Sequence, residues 1–135
     1  MARRDSWDLR AELLARIKKH GGWTNCHTHL DRAYTITLHS LPLADAQLQA
    51  KWDLVDEIKR RSSVAQIYDR MAFAIERQLS QGVTAIGSFI DVDDVIKDKA
   101  IKAAQRIQDR YGHALHIKFI NQTLKGVLDL QARKW

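Results

Sequence analysis

The sequence predicts an α/β fold in which parallel strands alternate with helices. Three observations predict it. Residues 83–90 form a nearly continuous apolar run, and residues 114–120 and 22–28 are further strand-like segments. The stretches between them carry apolar residues at helical spacing, i, i+3, i+4 and i+7. Strands that alternate with helices pair in parallel through right-handed crossovers.

Each element has its own justification. Residues 6–19 read as an amphipathic helix, with Leu9, Leu13 and Ile17 on one face and Leu14 alongside. Ser6 is placed to cap its start, and Gly21-Gly22 to stop it. Residues 22–28 are a short strand ending on two histidines. A long connection follows over residues 30–50 and carries the single proline, Pro42. A loop of that length in a compact domain is often functional. Residues 51–61 are helical, with Trp52, Val55 and Ile58 as the apolar stripe. Ser63-Val64-Ala65-Gln66 is a capping-box pattern. It opens a helix whose face is Val64, Tyr68, Met71, Ile75 and Leu79, and Gly82 ends it. The run Val83 to Ile90 is what a strand buried on both faces looks like. Asp93 is placed to cap the next helix, where Ile96, Ala100, Ala104, Ile107 and Tyr111 share a face and Gly112 closes it. In residues 114–120, Leu115, Ile117 and Phe119 alternate against His116 and Lys118. The tail from Val127 to Trp135 is expected to begin another helix.

The domain reading is an N-terminal helix over residues 1–21, then three βα units over residues 22–135. A (β/α)8 TIM barrel takes ~250 residues, so these units correspond to about the first three of one. A part-barrel leaves two strand edges unpaired. Such edges favour homo- or hetero-oligomers.

Composition narrows the class. The chain has 135 residues, 45% hydrophobic and 28% charged, ordinary values for a globular protein. No apolar run approaches the ~18 residues that a membrane span needs. Met1-Ala2-Arg3-Arg4-Asp5 leads into no apolar segment, so no secretory signal is expected. One cysteine, Cys26, fits a reducing compartment, and the cytoplasm is the expected location. The net charge of +6 is spread in pairs such as Lys18-Lys19 and Arg60-Arg61 among acidic residues. That is the pattern of solvated helix faces. A nucleic-acid partner would need clustered basic residues with aromatic platforms, and neither stands out.

The chemistry concentrates in Thr24-Asn25-Cys26-His27-Thr28-His29-Leu30-Asp31-Arg32. Two histidines two apart on a strand point to one face, where both imidazoles can reach one metal ion. A catalytic metal normally wants about three protein ligands plus a water. Cys26 should point to the opposite face, as a small core residue. Asp31 either orients a ligand histidine or caps a loop. Asp91, at the C-terminal end of a strand, is a candidate substrate-site residue, because barrel chemistry collects there. His20, His39 and His113 fall at helix ends or in loops and read as solvated, and His116 as facing the helix layer or water.

The run His27-Thr28-His29-Leu30-Asp31, followed by Arg32-Ala33-Tyr34-Thr35, resembles the first-strand signature of the amidohydrolase superfamily. It is most similar to that of the cytosine-deaminase-like metal-dependent hydrolases. Gly82-Val83-Thr84-Ala85-Ile86, through Ile90-Asp91-Val92-Asp93, is similar to that subgroup's second strand. Phe119-Ile120-Asn121-Gln122 is similar to its third. The resemblance implies a barrel and a divalent metal, zinc or iron first and manganese also compatible with imidazole, held by His27 and His29. It implies a metal-activated water that attacks a C–N bond of a small cyclic amidine or amide, as in deaminases and cyclic amidohydrolases. It implies that Gln122 contacts the substrate. The family's further histidines on the fifth and sixth strands, its aspartate on the eighth and its general acid/base have no counterpart in these residues. Phe89 stands where near relatives often carry a histidine. The expectation is therefore an N-terminal portion of a hydrolase with an incomplete site, inactive in isolation. Two alternatives stand beside it: a non-catalytic truncated-barrel module or partner subunit, and a basic nucleic-acid-binding domain.

Overall fold

A computed structural model describes residues 8–38, 47–124, 126–128 and 130–135. The expectations for Ser6, His39 and Pro42 lie outside the described residues. In order, the elements are α1 (Leu9–Lys19), β1 (Trp23–Thr28), a 3-10 turn (Leu30–Arg32), α2 (Leu48–Arg61), α3 (Val64–Leu79), β2 (Val83–Asp91), α4 (Lys99–Tyr111) and β3 (His116–Gln122). The three strands form one sheet in the order β1-β2-β3, and both pairings are parallel. The α/β prediction and the parallel pairing therefore hold. Each new strand is added on the same side of the last. All three C-terminal strand ends thus lie along one edge of the layer.

The core fills the space between the sheet and the α3–α4 pair. Ile67, Met71 and Ile75 from α3 meet Ile86 and Ile90 from β2, and Ala100, Ala103, Ala104 and Ile107 from α4 complete the cluster. The alanines let α4 approach α3 closely. α3 starts as expected: Ser63 accepts from the Gln66 N–H at 3.2 Å while the Gln66 side chain accepts from the Ser63 N–H at 2.9 Å. Together these satisfy two donors that a helix start leaves open.

Several boundaries differ from expectation. The cap of α1 is Asp8, which accepts from the Ala11 N–H. The apolar face of α1 is largely uncovered: Leu9 and Leu13 are more than half exposed and no residue of α1 is buried. α2 begins at Leu48, and Trp52 in its predicted stripe is exposed. The C-terminus of α2 is held by Lys99, whose ammonium donates to the carbonyls of Lys59, Arg60 and Ser62 at 2.5, 3.2 and 2.9 Å. A cation there satisfies carbonyls that the last helical turn cannot pair.

Asp93 does not cap α4, which begins six residues later. It closes the preceding turn by accepting from the N–H groups of Val95 and Ile96, both at 2.9 Å, so Ile96 lies in that turn and not in the helix. β3 runs on to Gln122 because Asn121 and Gln122 pair with Ile90 and Asp91. The tail forms one 3-10 turn, Ala132–Lys134, rather than the expected helix.

β2 is buried on one face only. Ile86, Ser88 and Ile90 point to the helices, while Ala85, Gly87 and Phe89 are partly exposed on the other side. Among the described residues no second layer covers that side. It is the side that continues onto His116, Lys118 and Ile120 of β3, all exposed. Cys26 is exposed as well, not a core residue. The β1–β2 register slips between Asn25 and Thr28, and Cys26 shares an open groove with Ala85, Gly87 and Lys118.

Gly87 makes this arrangement possible. A Cβ there would sit 2.9 Å from the Cys26 carbonyl oxygen, too close for any side chain. Gly87→Ala is expected to cost about 1–3 kcal/mol, the usual range for overpacking, read as a lowered urea midpoint. An unchanged midpoint would show that β1 can move away freely, and that the histidine strand is not pinned there. No helix among the described residues is long and apolar enough to cross a membrane.

Candidate functional site at the strand ends

The histidine pair is placed as the sequence predicts. His27 closes on Phe89 with ring centroids 4.9 Å apart, and His29 on the same ring at 5.8 Å. The two imidazoles are 5.4 Å apart, nearly edge to face. β1 ends between them, so His27 is on the strand and His29 is the first residue past it. Leu30, buried beneath, donates its N–H to Ser88 Oγ at 3.1 Å and fixes the chain as it leaves the sheet. Phe89, in the position where the resemblance leads one to look for a histidine, is the floor on which both imidazoles rest.

Below the histidines lies a buried charge cluster. Asp31, Asp91 and Asp93 are each no more than 2% exposed, and Lys59 is 4% exposed. Lys59 Nζ donates to Asp93 Oδ2 at 2.8 Å and ion-pairs with Asp91 Oδ2 at 2.9 Å. Burial alone pulls the Lys59 ammonium down, but its contacts with Asp93 and then Asp91 outweigh that and hold it above its ordinary range. Burial likewise pushes Asp93 up, but Lys59 first and the Ile96 N–H next hold its carboxyl below the usual value. A charge taken out of water needs such partners.

Asp31 does not orient a histidine. Its Oδ2 accepts from the Asp91 N–H at 2.9 Å, tying the turn after β1 to the end of β2. Arg70 donates to the Asp31 carbonyl at 3.3 Å. Burial raises the Asp31 carboxyl to about 6, with the nearby Asp91 charge adding to the rise and the Asp91 N–H opposing it. Its Oδ1 meets no hydrogen-bond donor among the described residues.

The neighbour of His29 is Arg32. Its Nη2 lies 2.6 Å from His29 Nδ1 and donates to Gln122 Oε1 at 3.3 Å, and its Nε is 3.6 Å from Asp91 Oδ2. Burial lowers the His29 pKa, and the Arg32 cation lowers it further. Both effects favour the neutral imidazole of His29. The structure thus brings together His27, His29, Asp91 and Gln122, through Arg32, on one edge. His116 is exposed on the open face of β3, and His20 and His113 are exposed as expected.

Two members of this constellation, Lys59 and Arg32, carry no role in the sequence reading. Lys59 stands four residues after Val55, in line with the apolar stripe of α2, and that position is the one sequence signal of a buried cation. Arg32 sits inside the signature run, but nothing local says that it reaches β2 and β3.

The two imidazoles share one aromatic neighbour, Phe89, with their ring centroids 5.4 Å apart. Among the described residues no group of three or more histidine, cysteine, aspartate or glutamate side chains could hold a metal. The Asp91 carboxylate is engaged by Lys59. A cleft of about 280 Å³ opens beside this cluster, lined by Arg32, Trp52, Asp56, Lys59 and Leu124 among others.

No family model matches the chain. Over 120 residues it is 51% identical to a protein of Haemophilus influenzae described as an uncharacterized protein. The match covers 88% of this chain and 44% of that relative, so the chain spans less than half the relative's length.

Proposed function

We propose that this chain contributes two ligands, His27 and His29, to the divalent-metal site of an amidohydrolase-type enzyme that hydrolyses C–N bonds in small cyclic amides or amidines. The observation that carries this reading is the pair of imidazoles 5.4 Å apart on Phe89, at the C-terminal end of a parallel strand. In barrels of this strand-and-helix order, chemistry collects at that end. The strand order β1-β2-β3 and the three parallel βα units are compatible with the first part of such a barrel. The remaining ligands are assigned to residues beyond these 135, and the greater length of the H. influenzae relative supports this.

A divalent metal in such a site supplies a water of lowered pKa and polarises the bond under attack. The residues of this chain do the rest of the positioning. Phe89 supports both imidazoles through ring contacts. Lys59 offsets part of the charge of Asp91 and Asp93, and Arg32 stands 3.6 Å from Asp91. Gln122, at the end of β3, offers an amide toward the same edge for a ring substrate. The open edges of β1 and β3 favour association with further strands, and a partner-subunit role rests on that feature.

Cobalt(II) titration of the purified chain, followed by its visible absorption, tests the reading. The expected result is weak binding, lost in the His27→Ala, His29→Ala double variant, with no turnover of cytosine-like or cyclic amide substrates. Binding of equal strength in the double variant would sink the assignment of the ligands.

A further inference from the structure

The cleft beside the strand ends sets charges of both signs around an apolar wall. It encloses about 280 Å³ among the described residues, at the small end of the ~300–1,000 Å³ that small-molecule sites span. α2 supplies most of its lining. Trp52, Asp56 and Lys59 recur at helical spacing and share one face of that helix, with Asp53 next to Trp52. Arg32, in the turn after β1, and Leu124, just past the end of β3, complete the lining. The histidine pair does not account for this cleft.

The wall suits an apolar body. Trp52 is 58% exposed and Leu124 45% exposed, and covering an indole and a leucine side chain is favourable. The charged groups are two cations and two anions. Lys59 is spent on Asp91 and Asp93. Arg32 bonds His29 and Gln122 through Nη2, so neither bond uses Nη1. A guanidinium has five N–H donors and suits a carboxylate. Asp56 lies 3.9 Å from Lys59 and is 28% exposed. A carboxylate offers about four acceptor sites, so Asp56 can take an ammonium beside its existing contacts. Short steps link the two ends: Asp56 to Lys59 at 3.9 Å, Lys59 to Asp91 at 2.9 Å and Asp91 to Arg32 at 3.6 Å.

A ligand of one charge meets its own sign here. An anion meets Asp53 and Asp56, and a cation meets Arg32 and Lys59. A molecule that carries both charges on an apolar body meets neither difficulty. We propose that the cleft is a binding site for one free α-amino acid with an apolar side chain. Its carboxylate lies on Arg32, its ammonium on Asp56 and its side chain on Trp52 and Leu124. The inference goes beyond the proposed metal reading and does not rest on it.

The test follows the Trp52 indole N–H in nitrogen-15 spectra of the full chain, with the signal identified by its absence in Trp52→Phe. L-Phenylalanine and L-leucine are expected to shift it saturably. 3-Phenylpropanoate lacks the ammonium and phenethylamine lacks the carboxylate. Each loses a charge-assisted hydrogen bond and should bind roughly tenfold weaker or more. Asp56→Asn should weaken L-phenylalanine by a similar factor and not weaken 3-phenylpropanoate, and Arg32→Gln should weaken L-phenylalanine and not phenethylamine, with circular dichroism to show that each variant is folded. No saturable shift with either amino acid overturns the proposal. So does binding of 3-phenylpropanoate or phenethylamine as tight as that of L-phenylalanine. Both of those outcomes are read on the wild type, so they decide even where a variant fails to fold.

Discussion

Replacing Lys59 with methionine is expected to destabilise the fold by about 3–5 kcal/mol, the range for removing one partner of a buried ion pair. Methionine keeps most of the length and apolar stem, so the loss reports the charge and not a cavity. The ammonium lies 2.8 Å from Asp93 Oδ2 and 2.9 Å from Asp91 Oδ2, with all three side chains nearly sealed from water. Without it, two carboxylates share a dry site with only Arg32 near Asp91. The cost comes from what remains behind, since a buried pair as a whole is worth far less than the loss of one member.

Two further measurements separate this from a packing defect. Adding Asp93→Asn to Lys59→Met should recover a large part of the loss, because one orphaned charge is gone. The gap between wild type and Lys59→Met should also shrink in acid. The wild-type Asp93 carboxyl is held below its ordinary value, so its stabilisation is present above the unfolded pKa near 3.8 and is lost as pH falls through the lower folded value. A gap that is small at neutral pH and unaffected by Asp93→Asn would show that Lys59 is hydrated and the cluster open.

Asp31→Asn is expected to act in the opposite direction. The Asp31 carboxyl is raised from 3.8 to about 6 in the folded chain. A carboxyl with a raised folded pKa favours the fold only while protonated. Its penalty is absent below the unfolded value, grows as pH rises from about 4 to about 6, and is fully present above that. Two units correspond to about 3 kcal/mol at most. Asparagine keeps an oxygen for the Asp91 N–H and removes the buried charge. Urea midpoints at pH 4, 5.5 and 7.5 should show the variant gaining on the wild type with each step, at constant m-value. A difference that does not change with pH would mean that Asp31 titrates normally in the fold.

The two variants probe one cluster from opposite signs, and together they say why it is there. Asp31, Asp91 and Asp93 bind the turn after β1, the end of β2 and the start of the following turn to α2 through Lys59. That bracing sets where His29 and Gln122 lie relative to one another.

Local features were legible in the sequence because each depends on near neighbours. Ser63 and Gln66 form their reciprocal cap within one turn. Gly22 is needed for a left-handed residue at the end of α1, with φ +87°. The spacing of His27 and His29 puts both rings on one side, and Phe89 meets them there. The alternation of Ile117 and Phe119 against His116 and Lys118 sorts β3 into a core side and an open side. Helical periodicity also marked α3 and α4, though it placed Ile96 in a helix that starts only at Lys99.

Other features turned on contacts that no local pattern records. The same periodicity predicts a covering layer for Leu9 and Leu13, and among the described residues none exists. Strand alternation sends Cys26 to the core, but a register slip and an uncovered sheet face leave it exposed. Asp31 was equally suited to a histidine or a loop, and the Asp91 N–H decided it. The sequence by itself determined the elements, their parallel order and the histidine pair, because periodicity, capping and side-chain alternation act over a few residues. Only the tertiary structure decided that Lys59 is buried between two carboxylates and that Arg32 meets His29 and Gln122. Those contacts span 32 to 90 residues of chain between some partners and 3 between others, and the charge of a side chain does not say which partner the fold will bring within 3 Å.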